Sequence, residues 1–386
     1  MNSIFIKIFF MIGLSIFLTG CWKSKDLTDY AFVMGLSLDQ TDKKNIELTA
    51  QIYAPTQTIG GTGSSKKSSY FNIKMYSDSI LDAARSFPLH LGRKAQWGHM
   101  CVLLISEQFA KKQNIGEALE FFYRDHESRL TLPVIITRGK ADVFLKKHPF
   151  IEQTISQQLL TTIQDTSSGK IHPTTLLDIG LQLNSKVKTT MIPYIEVDNT
   201  SHKAPYSNGV AIIYKGKLVN YLNANEVQNI LMLRNDFKSG SIEFPCINKG
   251  GNKKGKKETL EILSIKTKIA PQFIENPPTI RILTKIEGVV GELRCTSITT
   301  KEDEKKLENQ IEKLVKIQIE KTIKKLQKEK IDALEIGNKL YQQNPNLWKK
   351  HEKNWGDMFS TIRFAIDVEV TIKGTGEILG KKVTEE

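Results

Sequence analysis

Beyond its first twenty residues the chain has no long apolar run, and only four of its 386 residues are cysteine and seven histidine. The first scarcity leaves no candidate membrane span in residues 22–386. The second leaves little for metal chemistry. His99 and Cys101 alternate in one strand-like run, yet no third His or Cys stands at the usual spacing for a zinc site. Neither G-x-S-x-G nor H-E-x-x-H occurs. The acidic pairs Asp125/Glu127 and Asp367/Glu369 lie in charged or strand contexts that solvated faces explain. Residues 250–257, GGNKKGKK, come within one residue of a phosphate-binding G-x-x-x-x-G-K-[ST] loop, but Lys257 has no hydroxyl to place on magnesium. The chain therefore reads as a non-enzymatic protein without cofactor or metal.

What is present begins at the N-terminus. Lys7 is the one charge before Cys21, and the run Ile8 to Leu18 has the size of a signal-peptide h-region, too short to cross a bilayer as a helix. Leu18-Thr19-Gly20-Cys21 resembles a bacterial lipobox, in which the cysteine sulfur is diacylglyceryl-modified and cleavage makes cysteine the new N-terminus. An uncleaved anchor or an ordinary signal peptide are the alternatives. On the lipobox reading residues 1–20 are a leader, Cys21 is the lipidation site, and the remainder is a soluble body on a lipid tether outside the cytoplasmic membrane. The formal charge of +13 favours an anionic lipid surface and, by the same electrostatics, nucleic acid. Location decides against nucleic acid.

Cys101 reads as a buried small hydrophobe in HMCVLLIS. Cys246 and Cys295 could pair across the C-terminal half, but sequence cannot supply the geometry that a disulfide requires.

Residues 30–39 and 45–54 are strand-like around a polar turn and predict a hairpin. A loop rich in Gly and Ser at 60–69, a strand at YFNIKMY, and a short helix opened by Ser77 or Asp78 follow. Strands are predicted at 98–106, LPVIITRG and 193–198, with helices at 107–123 and over 140–164 apart from an interruption at Pro149. A boundary falls in the polar stretch 198–208, dividing an N-terminal α/β region (21–200, one unit or two subdomains) from a C-terminal domain (201–386). The latter opens on a hairpin turning at Lys215-Gly216 and a helix capped by Asn223 with Glu226. Two period-two strands, ETLEILSIKTKIA and PTIRILTKIEGVV, each have one wet face. Over 302–343 an amphipathic helix carries Leu307, Ile311, Leu314, Val315, Ile319, Ile323 and Leu326 on a stripe of the width that packs on a sheet. Pro345 ends it, and a long alternating strand closes the chain. The fold class is α+β, each domain a sheet with packed helices, rather than a doubly wound sheet.

Five strings in order resemble the Ger(x)C lipoproteins, the C subunits of spore germinant receptors. They are GCWKSKDLTDYAFVMGLSLD, GHMCVLLISEQFAKK, YRDHESRLTLPVIITRGKADVFL, GVAIIYKGKLVNYLNANEVQNILMLRN and PNLWKKHEKNWGDMFSTIRFAIDVEVTIKGTG. Lys23 departs from the acidic residue common there. The resemblance implies mixed α/β domains, lipidation at Cys21, attachment to the spore inner membrane, and assembly with integral-membrane A-type and B-type receptor subunits. The competing reading from the anchor alone is a solute-binding lipoprotein serving a transporter.

Overall fold

The computed structural model describes residues 4–5, 26–41, 45–54, 69–198, 204–246, 256–273 and 278–374. The rest of the leader, Cys21, the loop at 60–68 and residues 250–255 of GGNKKGKK lie outside them.

The predicted hairpin forms from β1 (Tyr30–Gln40) and β2 (Ile46–Tyr53), antiparallel with Val33 opposite Ile52. β3 (Tyr70–Ser77) extends it as an edge strand. On its other side β1 runs parallel first to β4 (Lys94–Gln96), pairing Tyr30 with Lys94, and then to β5 (Val102–Ser106). β6 (Val134–Thr137) and β7 (Thr189–Val197) continue the parallel centre. β8 (Pro205–Tyr214) and β9 (Lys217–Asn223) close the sheet antiparallel. The first sheet thus continues beyond residue 204, carrying the Lys215-Gly216 hairpin with it.

Both faces of this sheet are covered, which is why VLLIS is apolar without alternation. Leu103 and Ile105 pack with α1 (Ile80–Leu91), α2 (Glu107–Lys112), α3 (Ile115–Arg124) and α6 (Leu176–Leu183). Val102 and Leu104 pack on the opposite face with α4 (Asp142–Leu145) and α5 (Ile155–Gln164). At Gly35 the second layer comes very close: a Cβ there would lie 2.1 Å from Ser156 Oγ. Ser156 in turn donates to the buried Gln51 carboxamide at 2.8 Å.

The bridge to the second sheet is α7 (Ala224–Arg234), buried from Val227 through Leu233 on every side. The Asn223/Glu226 capping box forms as expected. Its C-terminal residue Asn235, at φ 61°, accepts from Thr267 N (2.7 Å) and donates to Thr267 O (2.9 Å). That binds the helix end to β11 (Lys257–Gln272), which pairs with β10 (Ser241–Pro245) and β12 (Thr279–Glu292). α8 (Lys301–Lys328) lays its predicted stripe on this sheet, with Leu307, Ile311, Val315, Ile319, Ile323 and Leu326 buried. Three short helices, α9 (Ile336–Gln343), α10 (Pro345–His351) and α11 (Trp355–Thr361), lead to the edge strand β13 (Arg363–Gly374), parallel to β12. Glu312 and Glu308 of α8 accept from Val370 N and Ile372 N, both at 3.0 Å, so two backbone donors of this edge strand are satisfied. The chain is α+β, with two sheets and a long C-terminal helix.

Several expected elements differ in extent. The helix expected over 302–343 breaks at 329–335, where Lys330 and Glu335 take positive φ and buried Asp332 accepts from Leu334 N, Ile336 N and Gly337 N. The helix expected over 107–123 divides at Gln113-Asn114, because Asn114 caps α3 and Ile115 N bonds to Gly216 O. Ser79, not Ser77 or Asp78, occupies the N-cap position of α1; the Ser77 hydroxyl instead donates to Asp82. Residues 97–99 form a 3-10 turn, so the strand expected from 98 begins at Val102. The strand expected at 193–198 begins earlier, at Thr189. Cys101 is half-buried rather than buried, and Cys246 and Cys295 form a disulfide.

Candidate functional site

Parallel β1, β5 and β6 end side by side and deliver Asp39, Glu107 and Arg138 to the carboxyl end of the first sheet's parallel strands. Side chains at the carboxyl ends of parallel strands are where open α/β sheets collect ligand-binding groups.

Asp39 caps α4, accepting from Ala141 N (2.8 Å) and Asp142 N (2.9 Å). Burial raises its carboxyl above the ordinary range, against those two bonds. Asp39, Glu47 and Asp142 bring carboxylate oxygens within 4.8 Å of one another, as a cation site would. Two lysines already meet that charge: Lys74 bonds Glu47 and lies 2.6 Å from Asp142, and Lys146 lies 2.7 Å from Asp142. Burial would raise the Asp142 carboxyl, but Lys146 and Lys74 hold it below the usual range. This group is an ion network that joins α4 to β2 and β3 of the sheet.

Arg138 sits differently. Its guanidinium lies over Tyr221 (4.6 Å to the ring centre) and Tyr194 (5.2 Å), rings that themselves meet edge-on at 4.9 Å. Glu196 is 3.9 Å away, and Arg138 makes no side-chain hydrogen bond among the described residues. The Tyr221 hydroxyl donates to Glu107 at 3.0 Å, and Glu107 also receives Lys111 (3.0 Å) and Gly139 N (3.3 Å). Burial would raise Glu107, but Lys111 and Tyr221 keep it below its ordinary range. Burial and the neighbouring carboxylate push the Tyr221 phenol well above its own. At neutral pH the group is therefore a charged fork on a rigid aromatic bracket, with a neutral phenol and an ionised carboxylate fixed behind it. A guanidinium fork held in this way has the geometry to pair with a planar anion, and none of the four side chains is an activated nucleophile.

Beside α3 opens a cleft of about 790 Å³. Trp97, Phe109 and Phe121 supply apolar lining, and Arg85, Glu120 and Arg124 supply charge.

The residues singled out from sequence do not converge. His99 lies in the 3-10 turn and Cys101 just after it, the thiol 3.7 Å from the His99 carbonyl, so they do not share a strand face. Asp125 and Glu127 are partly buried rather than solvated: Glu127 pairs with Lys94, and Asp125 accepts from Glu127 N at 2.8 Å. Asp367 and Glu369 are exposed on β13, with Glu369 2.6 Å from Lys285. The lipidation site Cys21 lies outside the described residues. The Arg138 bracket has no sequence signature, since Glu107, Arg138, Tyr194 and Tyr221 come from four separate segments. Among the described residues no helix is long and apolar enough to cross a membrane.

Residues 23–197 match the family model of the spore germination protein N-terminal domain, and residues 208–376 that of the spore germination B3/GerAC-like C-terminal domain. Spore germination protein B3 of Bacillus subtilis (strain 168) is 28% identical over 386 residues, covering 97% of this chain and 98% of that protein. Spore germination protein A3 of the same organism is 27% identical over 389 residues, covering 96% and 98%. The crystal structure of the GerBC protein has the same fold, with a TM-score of 0.58 at 22% identity over 91% of this chain and 100% of that one.

Proposed function

Because the chain belongs to the spore germination B3/GerAC-like family, the Ger(x)C family, we propose that it is the lipid-anchored subunit of a spore germinant receptor. In this reading a diacylglyceryl group on Cys21 holds the chain at the spore inner membrane. There it acts with integral-membrane A-type and B-type subunits in nutrient-triggered germination, as a non-enzymatic component. The observation that carries the reading is the ordered match of both family domains, which begins two residues after Cys21. The Arg138 bracket suits this role, since it offers recognition and no reacting group.

Crosslinking in spore membranes followed by affinity isolation of this chain tests the assembly. The integral-membrane subunits are expected in the crosslinked product. Isolation without them, together with micromolar binding of a nutrient to the chain alone, would favour the solute-binding alternative.

A further inference from the structure

The strands β4, β1, β5 and β6 are mutually parallel, so the segments entering them meet at one end of the first sheet. Asp26, where the described body begins, leads into β1 at this end. Five residue steps separate it from Cys21, a reach of at most about 18 Å.

Four large apolar side chains stand out at the same end. Leu27, just before β1, is 76% exposed, and Leu89, in the last turn of α1 before β4, is 85% exposed. Phe150 and Ile151 are 61% and 92% exposed in the segment between α4 and α5. That segment is tied down here. The Tyr70 hydroxyl donates to Lys147 O (2.9 Å), and Ser69 Oγ donates to Gln153 O (2.6 Å). Tyr70 pairs with Tyr53, which the antiparallel register puts beside the start of β1. Glu152 also acts on the Cys101 thiol, at the entry to β5, adding to the burial that raises it.

We propose that this end of the sheet is a lipid-contact face, with Leu27, Leu89, Phe150 and Ile151 entering the interfacial region of the bilayer. The inference rests on the anchor at Cys21, whose short tether holds the face within reach of the membrane. The apolar side chains come from three separate segments interspersed with polar residues, as on an interfacial insertion surface. Two of the three segments have basic flanks: Lys147 and His148 precede Phe150, and His90 and Arg93 follow Leu89. Asp26, Asp29 and Glu152 share the face with Arg93, Arg129 and Lys147, so apolar insertion drives the contact, rather than net charge.

The test uses the full acylated chain in vesicles of phosphatidylcholine and phosphatidylglycerol. An environment-sensitive fluorophore is placed at Ile151→Cys or Leu89→Cys, with Cys101→Ser removing the free thiol. Val143→Cys, on α4 at the opposite end of the parallel strands, is the reference. Probes at 151 and 89 are expected to shift to shorter emission wavelength and to lose intensity to nitroxide-bearing lipids, while the probe at 143 does neither. Flotation with the vesicles but full quenching of 151 and 89 by aqueous iodide would overturn the proposal and leave the anchor intact. Protection that arises only when membrane subunits are added would overturn it in favour of a protein contact. Failure to float would overturn the anchor reading and the proposal together.

Discussion

Trp355 donates its indole N–H to the carboxylate of Asp332 at 3.1 Å, inside a turn where the acid is fully buried. Trp348 lies against Trp355 with ring centres 5.1 Å apart, and a Cβ on Gly337 would come within 2.7 Å of Trp348. Asn338 of the same segment accepts from Lys186 N (3.1 Å) and Val187 N (3.3 Å), which joins the turn to the segment entering β7.

Burial raises the Asp332 carboxyl from 3.8 to about 6, against its bonds from Gly337, Ile336 and Trp355. A folded-state pKa above the unfolded one means that protonation favours folding. The contribution of this group is full below pH about 4 and is lost as pH rises to about 6. Asp332→Asn should therefore flatten the dependence of melting temperature on pH across that window. It should also cost about 1–3 kcal/mol at neutral pH through a backbone N–H left without its acceptor. Calorimetry from pH 4 to 7 checks both; an unchanged pH slope in the variant would refute the assignment.

Gly35→Ala places a Cβ 2.1 Å from Ser156 Oγ. Either α5 or β1 must shift, and the expected loss is about 1–3 kcal/mol. Adding Ser156→Ala should recover part of it, because the clash is with that hydroxyl. Urea unfolding of the three variants measures the recovery.

The Cys246–Cys295 bond closes 49 residues of sequence, and Glu258 grips the same turn through Arg294 N (2.9 Å), Cys295 N (2.7 Å) and Thr296 N (2.7 Å). Replacing both cysteines with serine should lower stability by about 2–4 kcal/mol. Glu258→Gln should act on the same turn, so the combined loss should be smaller than the sum of the two. A double-mutant cycle in denaturant gives the coupling.

Arg138→Gln keeps a polar side chain but removes the charge on the aromatic bracket. Stability should change by less than about 1 kcal/mol, since the guanidinium makes no hydrogen bond among the described residues and is half exposed. The nutrient response of spores carrying the variant should fall. Normal germination with a normal protein level would remove Arg138 from the functional surface.

Much of the fold was legible where pattern and burial coincide. The stripe of α8, the period-two alternation of β11 and β12, and the Lys215-Gly216 turn each declare one dry side or one required backbone shape. At Gly216, φ is 82° and a Cβ would press within 1.9 Å of Asn114 Oδ1, so glycine satisfies both turn and packing. Other features depend on partners distant in sequence. ANEVQNILMLR signals a helix through its cap, but not that α7 lies between two sheets and is buried all round. Helical periodicity continues across 329–335, and the helix stops where Lys330 and Glu335 take positive φ around the buried Asp332 carboxylate. The Arg138 bracket required the strand order, which places residues 107, 138, 194 and 221 together. Lipidation at Cys21 is a reading of sequence alone.

The most direct test of the account is nutrient-triggered germination of spores whose only copy of this chain carries Cys21→Ala, measured together with the membrane fraction of the protein. The variant is expected to leave the membrane fraction, and the response to fall to the level of a deletion strain. A membrane-bound variant with a full nutrient response would contradict it.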